Sequence, residues 1–160
     1  MSGLCSAHQH HDSNCPQCTA IQNDEKIIRP SFLEIYMSLA ENIARRSTCK
    51  RLAVGTVITS TDFRKVLAVG YNGNASGLPN QCDSDEPSRC GCVHAETNSI
   101  VDCDAPRYIG KIVFCTHLPC VACAKLLINL GGVECIFYKN DYRIKDSLNI
   151  LKDKIAVCEY

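Results

Sequence analysis

His94-Ala95-Glu96 and Pro119-Cys120-Val121-Ala122-Cys123 are the two segments whose residue types and spacing could do chemistry. Each stands where a helix is predicted to begin. Cys120 and Cys123, at i and i+3, share one face of a first helical turn, so both sulfurs can reach one ion. His94 can complete the set from a neighbouring helix start. Three protein ligands leave a tetrahedral zinc ion one open position for water, the arrangement of a catalytic site. Helix starts add unpaired N–H groups and partial positive charge, which favour thiolates and a bound hydroxide. Zinc lowers the pKa of its water from about 15.7 towards about 7. Glu96, two residues past His94, is near enough to exchange a proton with that water without ligating the ion. A C-x-x-C pair alone would equally suit a structural zinc hook or a redox pair, and His-x-Glu alone signals almost nothing. Their combination, with Pro119 before the first cysteine, points to metal-assisted hydrolysis.

These are only part of the metal-binding inventory, because the 160 residues include thirteen cysteines and five histidines. An odd count leaves at least one thiol unpaired in any all-disulfide scheme, and a chain without a secretory signal favours metal ligation first. Cys5, His8, Cys15 and Cys18 have the spacing of a structural Cys3His zinc knuckle, with His10 or His11 able to replace His8. Residues 1–26, which hold them, are polar and aperiodic, and would gain their order from the metal or have none. Cys49, Cys82, Cys90 and Cys92 crowd around a long loop and offer another ligand set. Tail and loop cysteines could also share one ion. The expectation is one catalytic zinc and a second, structural one, with the tail residues as its first candidates. Cys103, Cys115, Cys135 and Cys158 fall in helix or strand patterns and are expected to be buried small hydrophobes.

Composition narrows the partners. Seventeen basic side chains balance seventeen acidic ones, and the pI near 6.9 argues against a protein that coats nucleic acid through counterion release. No apolar run is long enough for a membrane span, and the polar N-terminus has no signal-peptide core, so a cytoplasmic location is expected. The length suits one domain. Residues 27–160 are read as the catalytic domain and residues 1–26 as a separate Cys/His-rich segment.

The elements that must position the two motifs follow from periodicity. Ser31 and Glu34 have capping-box spacing, and Phe32, Ile35, Tyr36, Leu39 and Ile43 recur at helical spacing to about Arg46. Ala53–Thr59 and Val66–Tyr71 read as an antiparallel hairpin. Residues 72–92, rich in Gly and Pro, form a long loop of the kind that is functional or disordered. Then come a helix from His94 to about Cys103, a strand at Lys111–Thr116, a helix at Cys120–Leu130 and a strand at Cys135–Tyr138. A helix near Arg143–Lys152 and a weak strand at Ile155–Cys158 end the pattern. Strand–helix alternation implies parallel crossovers with helices on the sheet faces.

His94-Ala95-Glu96 with Pro119-Cys120-x-x-Cys123 resembles the signature of the zinc-dependent cytidine deaminase superfamily, H-x-E…P-C-x-x-C. Within it the chain is most similar to deoxycytidylate (dCMP) deaminases. Supporting stretches are Arg46–Cys49, Val54–Ile58, Gly70–Gly73 followed by Ser76–Pro79, Thr116–Cys120 and Tyr138–Tyr142. The similarity covers about residues 27–150, and the short gap between Pro79 and His94 looks like phage and bacterial members. It implies a three-layer α/β/α sandwich with a mixed sheet of about five strands. It also implies hydrolysis of dCMP to dUMP and ammonia by a zinc-bound hydroxide, with His94, Cys120 and Cys123 as ligands and Glu96 as proton shuttle. Backbone N–H groups near Ala95 and Cys120 are expected to orient the reacting groups. Asn72 matches a sugar-hydroxyl ligand and Tyr142 an aromatic beside the nucleotide, although Asn72-Gly73 would also make a turn and Tyr142 could be core. Phosphate donors could come from Ser76-Gly77, Arg45, Arg46, Lys50, Arg51, Lys139 or Arg143. The resemblance further implies a homo-oligomer, a hexamer or smaller, activated by dCTP and inhibited by dTTP, with no nucleic-acid or membrane partner. Competing readings are a deaminase of dCTP or of a modified dCMP, a nucleic-acid-editing deaminase, and a zinc-stabilised binding module with a dead core. Intact Glu96 speaks against the last.

Overall fold

Ser31 starts the first helix of the computed structural model, which describes residues 29–86 and 89–160. The capping box forms as spaced. The Ser31 hydroxyl accepts from the Glu34 N–H at 3.2 Å, and the Glu34 carboxylate accepts from the Ser31 N–H at 2.6 Å. Helix α1 (Phe32–Ala44) buries Tyr36, Met37, Ala40 and Ala44 along one stripe.

Strands β1 (Gly55–Ser60) and β2 (Val66–Tyr71) pair antiparallel as the predicted hairpin, β1 starting two residues later than its pattern suggested. Helix α2 (Ala95–Val101), strand β3 (Lys111–His117), helix α3 (Val121–Leu130), strand β4 (Val133–Asn140), helix α4 (Ser147–Leu151) and strand β5 (Ala156–Glu159) follow. The five strands form one sheet in the order β2-β1-β3-β4-β5. β1 is antiparallel to both neighbours, while β3, β4 and β5 run parallel. The sheet is therefore mixed, and β5, the weakest pattern in the sequence, is a full partner of β4.

Alternation along the strands builds two cores, one on each face. Val57, Ile112 and Phe114 pack with Tyr36, Met37 and Ala40 under α1. Ile58, Val113, Cys115, Ile136 and Tyr138 point the other way, onto Leu118, Ala124, Leu127 and Leu151 of the α3 and α4 side. Burial on both faces is why β1 and β3 read as near-continuous apolar runs rather than as alternation. The result is the expected three-layer α/β/α sandwich.

Two glycines set the helix–sheet distance. A Cβ on Gly55 would lie 2.0 Å from the Ala40 carbonyl oxygen, and one on Gly70 would lie 2.2 Å from that of Ala95. Helices α1 and α2 thus ride directly on strand backbone, and α2 carries one of the two motifs. At the far end of the sheet Lys111 is fully buried at the start of β3. Its ammonium donates to the carbonyls of Pro106, Ile109 and Gly131 at 2.8, 2.8 and 3.1 Å, which ties two loops to the strand.

The expectation that four cysteines pack as core holds for Cys115, which is fully buried. It fails for Cys158, which is exposed, and Cys103 and Cys135 are half-buried. Helix α1 lies over β1, β2 and β3, and Cys158 sits on β5 at the sheet edge with its sulfur 3.9 Å from that of Cys135. No helix among the described residues is long and apolar enough to cross a membrane.

Candidate active site

Both motifs sit at the C-terminal ends of strands, where ligands of open α/β sheets gather. Val93 bridges Gly73, just past the end of β2, and so places His94 beside the end of that strand as the N-cap of α2. β3 ends at His117, and two residues later Pro119-Cys120 turns the chain into α3 with Cys120 as N-cap. Neither N-cap residue uses its side chain to cap its helix. The imidazole and the sulfur are thereby free to face each other.

Nδ1 of His94 lies 3.6 Å from the Cys120 sulfur and 3.4 Å from that of Cys123. A tetrahedral zinc with metal–sulfur and metal–nitrogen bonds of about 2.3 and 2.0 Å spaces such ligands about 3.5 Å apart. All three donor atoms fall within 4.8 Å of one another. The donor set and its spacing fit zinc.

Charge is already unevenly shared among these groups. The Cys120 thiol is drawn down to about 3, first by hydrogen bonding from Cys123 and then from His94. Cys123 is pushed strongly up as the proton-bearing partner. His94 is raised, chiefly by its hydrogen bond to Cys120. One thiolate stands ready for a cation at neutral pH.

Glu96, on the first turn of α2, is 4% exposed. Burial holds its carboxyl above the ordinary carboxylate range, although His94 pulls the other way. A carboxyl shifted in this direction takes and holds a proton more readily than a solvated one. Ala95 is fully buried as the first residue of α2, so its N–H has no partner within the helix.

A cavity of about 540 Å³ opens over these groups, a size suited to a small-molecule ligand. His94, Ala95, Glu96, Cys120, Asn72 and Tyr142 all line it, so the sequence-derived site residues converge on one space. Asn72 is more committed than its motif suggested. Its side-chain oxygen accepts from the Val54 N–H at 2.8 Å and its nitrogen donates to the Leu52 carbonyl at 2.7 Å. It clamps the segment entering β1 and also lines the cavity. Tyr142 is in the cavity wall, with the Arg143 guanidinium over its ring. Asp141, Tyr142 and Arg143 are drawn to this wall, which is why the helix predicted near Arg143–Lys152 shortens to Ser147–Leu151.

Among the basic candidates, Arg51 and Arg143 reach the cavity. Arg51 also donates to the Glu86 carbonyl and Arg143 to the Tyr142 hydroxyl, while the others do not line the cavity: Lys50 pairs with Asp85, Lys139 with Glu41, Arg46 lies over Tyr71 and Arg45 reaches Asn42. Ser76 and Gly77 are not among the residues that line the cavity. His117 and Asp141 do line it and had no role from sequence. The Thr116 hydroxyl holds the His117 ring at 3.2 Å, and burial keeps its pKa low. Its position at the last residue of β3, beside the cysteine turn, was the available signal. Cys5, His8, Cys15 and Cys18 lie outside the described residues.

Comparison with known proteins agrees with this geometry. The profile described as "Cytidine and deoxycytidylate deaminase zinc-binding region" matches residues 30–139. The chain belongs to that family. A deoxycytidylate deaminase of Mycobacterium phage D29 is 34% identical over 128 residues, covering 71% of this chain and 98% of the phage protein. The deoxycytidylate deaminase of Saccharomyces cerevisiae is 32% identical over 140 residues, which are 79% of this chain but 44% of the yeast protein. The chain thus spans nearly all of the phage relative and less than half of the yeast one. Among solved structures, dCMP deaminase from the cyanophage S-TIM5 in complex with dCMP and dUMP superimposes with a TM-score of 0.74 at 33% identity. That match covers 83% of this chain and 99% of that one.

Proposed function

We propose that this protein hydrolyses dCMP to dUMP and ammonia. One observation carries the reading: His94 and Cys120 of the His94–Cys120–Cys123 cluster line one nucleotide-sized cavity together with the buried Glu96. The names of the phage relative and the cyanophage neighbour support the choice of substrate.

A zinc ion held by the three ligands would supply hydroxide at neutral pH by lowering the pKa of its water. Glu96 accepts the water proton and delivers it to N3 of the cytosine ring, then takes the proton of the new C4 hydroxyl and passes it to the amine leaving C4. Its burial, which favours the protonated carboxyl, suits it to these transfers. A C4–O bond forms and the C4–N bond breaks, so water and dCMP become dUMP and ammonia. The N–H of Ala95, free at the helix start, donates to the pyrimidine carbonyl. Asn72 offers its remaining hydrogen-bond capacity to the sugar, and Tyr142 packs beside the nucleotide. Arg51 and Arg143 provide the cationic rim that a 5′-phosphate needs.

The reading takes residues 27–160 as the catalytic domain, working as a symmetric homo-oligomer in the cytoplasm, and residues 1–26 as a distinct segment. It includes dCTP activation and dTTP inhibition, and more than one zinc ion per chain. Resemblance to dCMP deaminases supports the oligomer and the effectors. The test is ammonia release from dCMP beside cytidine, dCTP, a 5-modified dCMP and a single-stranded oligonucleotide, with and without each triphosphate. Fastest turnover of dCMP is expected. Faster turnover of any other substrate would replace the reading, and activity at low dCMP that ignores both triphosphates would remove the regulation.

A further inference from the structure

Two thiols meet at the edge of the sheet, where the proposed reaction has no use for them. Cys135 lies on β4 and Cys158 on β5, with their sulfurs 3.9 Å apart. The strands run parallel, Cys135 opposite Ala156 and Phe137 opposite Cys158, so the two cysteines are diagonal neighbours. Both project from the same face of the sheet. Cys135 and Phe137 pack against the core beneath α1, whereas Val157, next to Cys158, packs against the opposite core. Neither cysteine lines the catalytic cavity. Among the described residues, no third metal-ligating side chain closes on the pair to make a set of three.

The surroundings give the two sulfurs different parts to play. Cys158 is exposed and Cys135 half-buried, because α1 lies over β1, β2 and β3. Any solute can reach the Cys158 sulfur. Burial, and after it the neighbouring Cys158, push the Cys135 thiol up to about 12. The exposed thiol is therefore the one that forms a thiolate and attacks first, and the shielded one follows. A disulfide requires about 2.05 Å between sulfurs, so closure must draw them together. β5 is the outermost strand, bonded to β4 on one side only, and so has room to make that adjustment. Beyond Cys158 the Tyr160 N–H donates to the Tyr138 carbonyl at 2.7 Å, which keeps the strands in register on either side of the pair.

We infer that Cys135 and Cys158 form a redox-active dithiol, which exchange with a low-molecular-mass disulfide such as oxidised glutathione closes into a bond between β4 and β5. The Cys158 thiolate attacks one sulfur of glutathione disulfide, whose S–S bond breaks. The first glutathione leaves and takes up the proton that Cys158 lost. Cys135 then gives up its proton and attacks the Cys158 sulfur of the mixed disulfide, expelling the second glutathione, which takes that proton. Two protein thiols are oxidised, and one small disulfide is reduced to two thiols. The new bond closes a loop that holds α4 and the cavity-wall residues Asp141, Tyr142 and Arg143. Such closure stabilises the fold mainly by restricting the open chain, and here it secures an edge strand that has a single neighbour. The chemistry is independent of which nucleotide the cavity accepts.

The experiment equilibrates the full-length, zinc-loaded protein in glutathione buffers of increasing oxidised fraction, quenches it with acid, alkylates the free thiols and maps the peptides by mass spectrometry. A Cys135–Cys158 linked peptide, lighter by two hydrogens than the reduced pair, is expected, and excess reduced glutathione should reverse it. In Cys135→Ser the Cys158–glutathione adduct should accumulate instead. In Cys158→Ser glutathione should reach Cys135 at least tenfold more slowly than it reaches Cys158 in the wild type. Oxidised wild type should unfold at a higher urea concentration than reduced wild type, and both serine variants should lose that gap. Should a variant fold poorly, the linked peptide of the wild-type protein still decides the case. Cys135 and Cys158 left free across the whole series overturn the dithiol, as does either one carrying glutathione without forming the link. A bond from either cysteine to a second chain or to a different cysteine overturns it too. A stability gap that persists in Cys158→Ser overturns the role of the bond in securing β5.

Discussion

Glu96 illustrates how one side chain acquires chemistry from its surroundings. A glutamate on a solvated helix start would stay ionised at neutral pH, but burial at 4% exposure favours its protonated form. Glu96→Gln keeps the shape and removes the proton carrier, so kcat should fall by about 10²–10⁴-fold while zinc content stays at the wild-type level. Loss of zinc together with activity would mean that Glu96 supports the metal instead. Arg51 and Arg143 make a different kind of contribution, because they reach the cavity through long and largely exposed side chains. Replacing either with Ala should raise KM for dCMP about tenfold or more and leave kcat nearly unchanged, as expected for a charged hydrogen bond made equally in ground and transition states. Equal KM values for dCMP and deoxycytidine in the wild-type enzyme would refute a phosphate contact altogether. The types and spacing of the three ligands and Glu96 were legible in the sequence because they are local to two helix starts. The cavity positions of Asp141 and His117 were not, and Arg51 and Arg143 were two among six basic candidates. Each depends on which of many similar polar residues the fold brings to one rim.

Helices α1 and α2 are held by features that can be changed separately. A methyl at Gly70 would collide with the Ala95 carbonyl at 2.2 Å and the Ser99 N–H nitrogen at 2.6 Å, both backbone atoms of the helix that carries His94 and Glu96. Gly70→Ala should therefore cost about 1–3 kcal/mol in denaturant unfolding and also weaken zinc binding, since α2 must move off the strand. A variant that loses stability but keeps zinc affinity would separate the strand contact from the site. The α1 capping box responds to pH in a defined direction. The Ser31 N–H and hydroxyl hold the Glu34 carboxyl below its ordinary value near 4.5. Its contribution is present above that value and lost as pH falls through the folded-state pKa. Ser31→Ala should lower stability by about 1 kcal/mol at neutral pH, and the gap from wild type should narrow as pH falls below the ordinary carboxylate value of 4.5. A gap constant with pH would show that the carboxylate half of the box contributes nothing. The helices with strong periodicity or caps were read from sequence almost to the residue. The shortened α4 was not, because its leading residues are claimed by the cavity wall.

For the molecule as a whole, metal and fold are thermodynamically linked, since zinc binds the folded ligand sets and not the open chain. Exhaustive chelation should lower the melting temperature and abolish turnover, and stoichiometric zinc should restore both. A melting temperature indifferent to chelation would confine the metal to chemistry and exclude a structural role. The mixed sheet itself needs no metal: two apolar faces and a buried, fully bonded Lys111 hold it at the end opposite the site. Cys158 marks the boundary of that logic, since a strand pattern placed it in a core that the edge position of β5 leaves open.

The sequence by itself determined the α/β alternation, the zinc ligand types at two helix starts and the proton carrier beside them. Those depend on local periodicity, capping and spacing, which operate over a few residues. Tertiary structure decided which cations face the cavity, which cysteines pack and which gather, and how far Asn72 is committed to backbone. These are outcomes of strand order and loop closure, and residues far apart in the chain meet only after the whole sheet has formed.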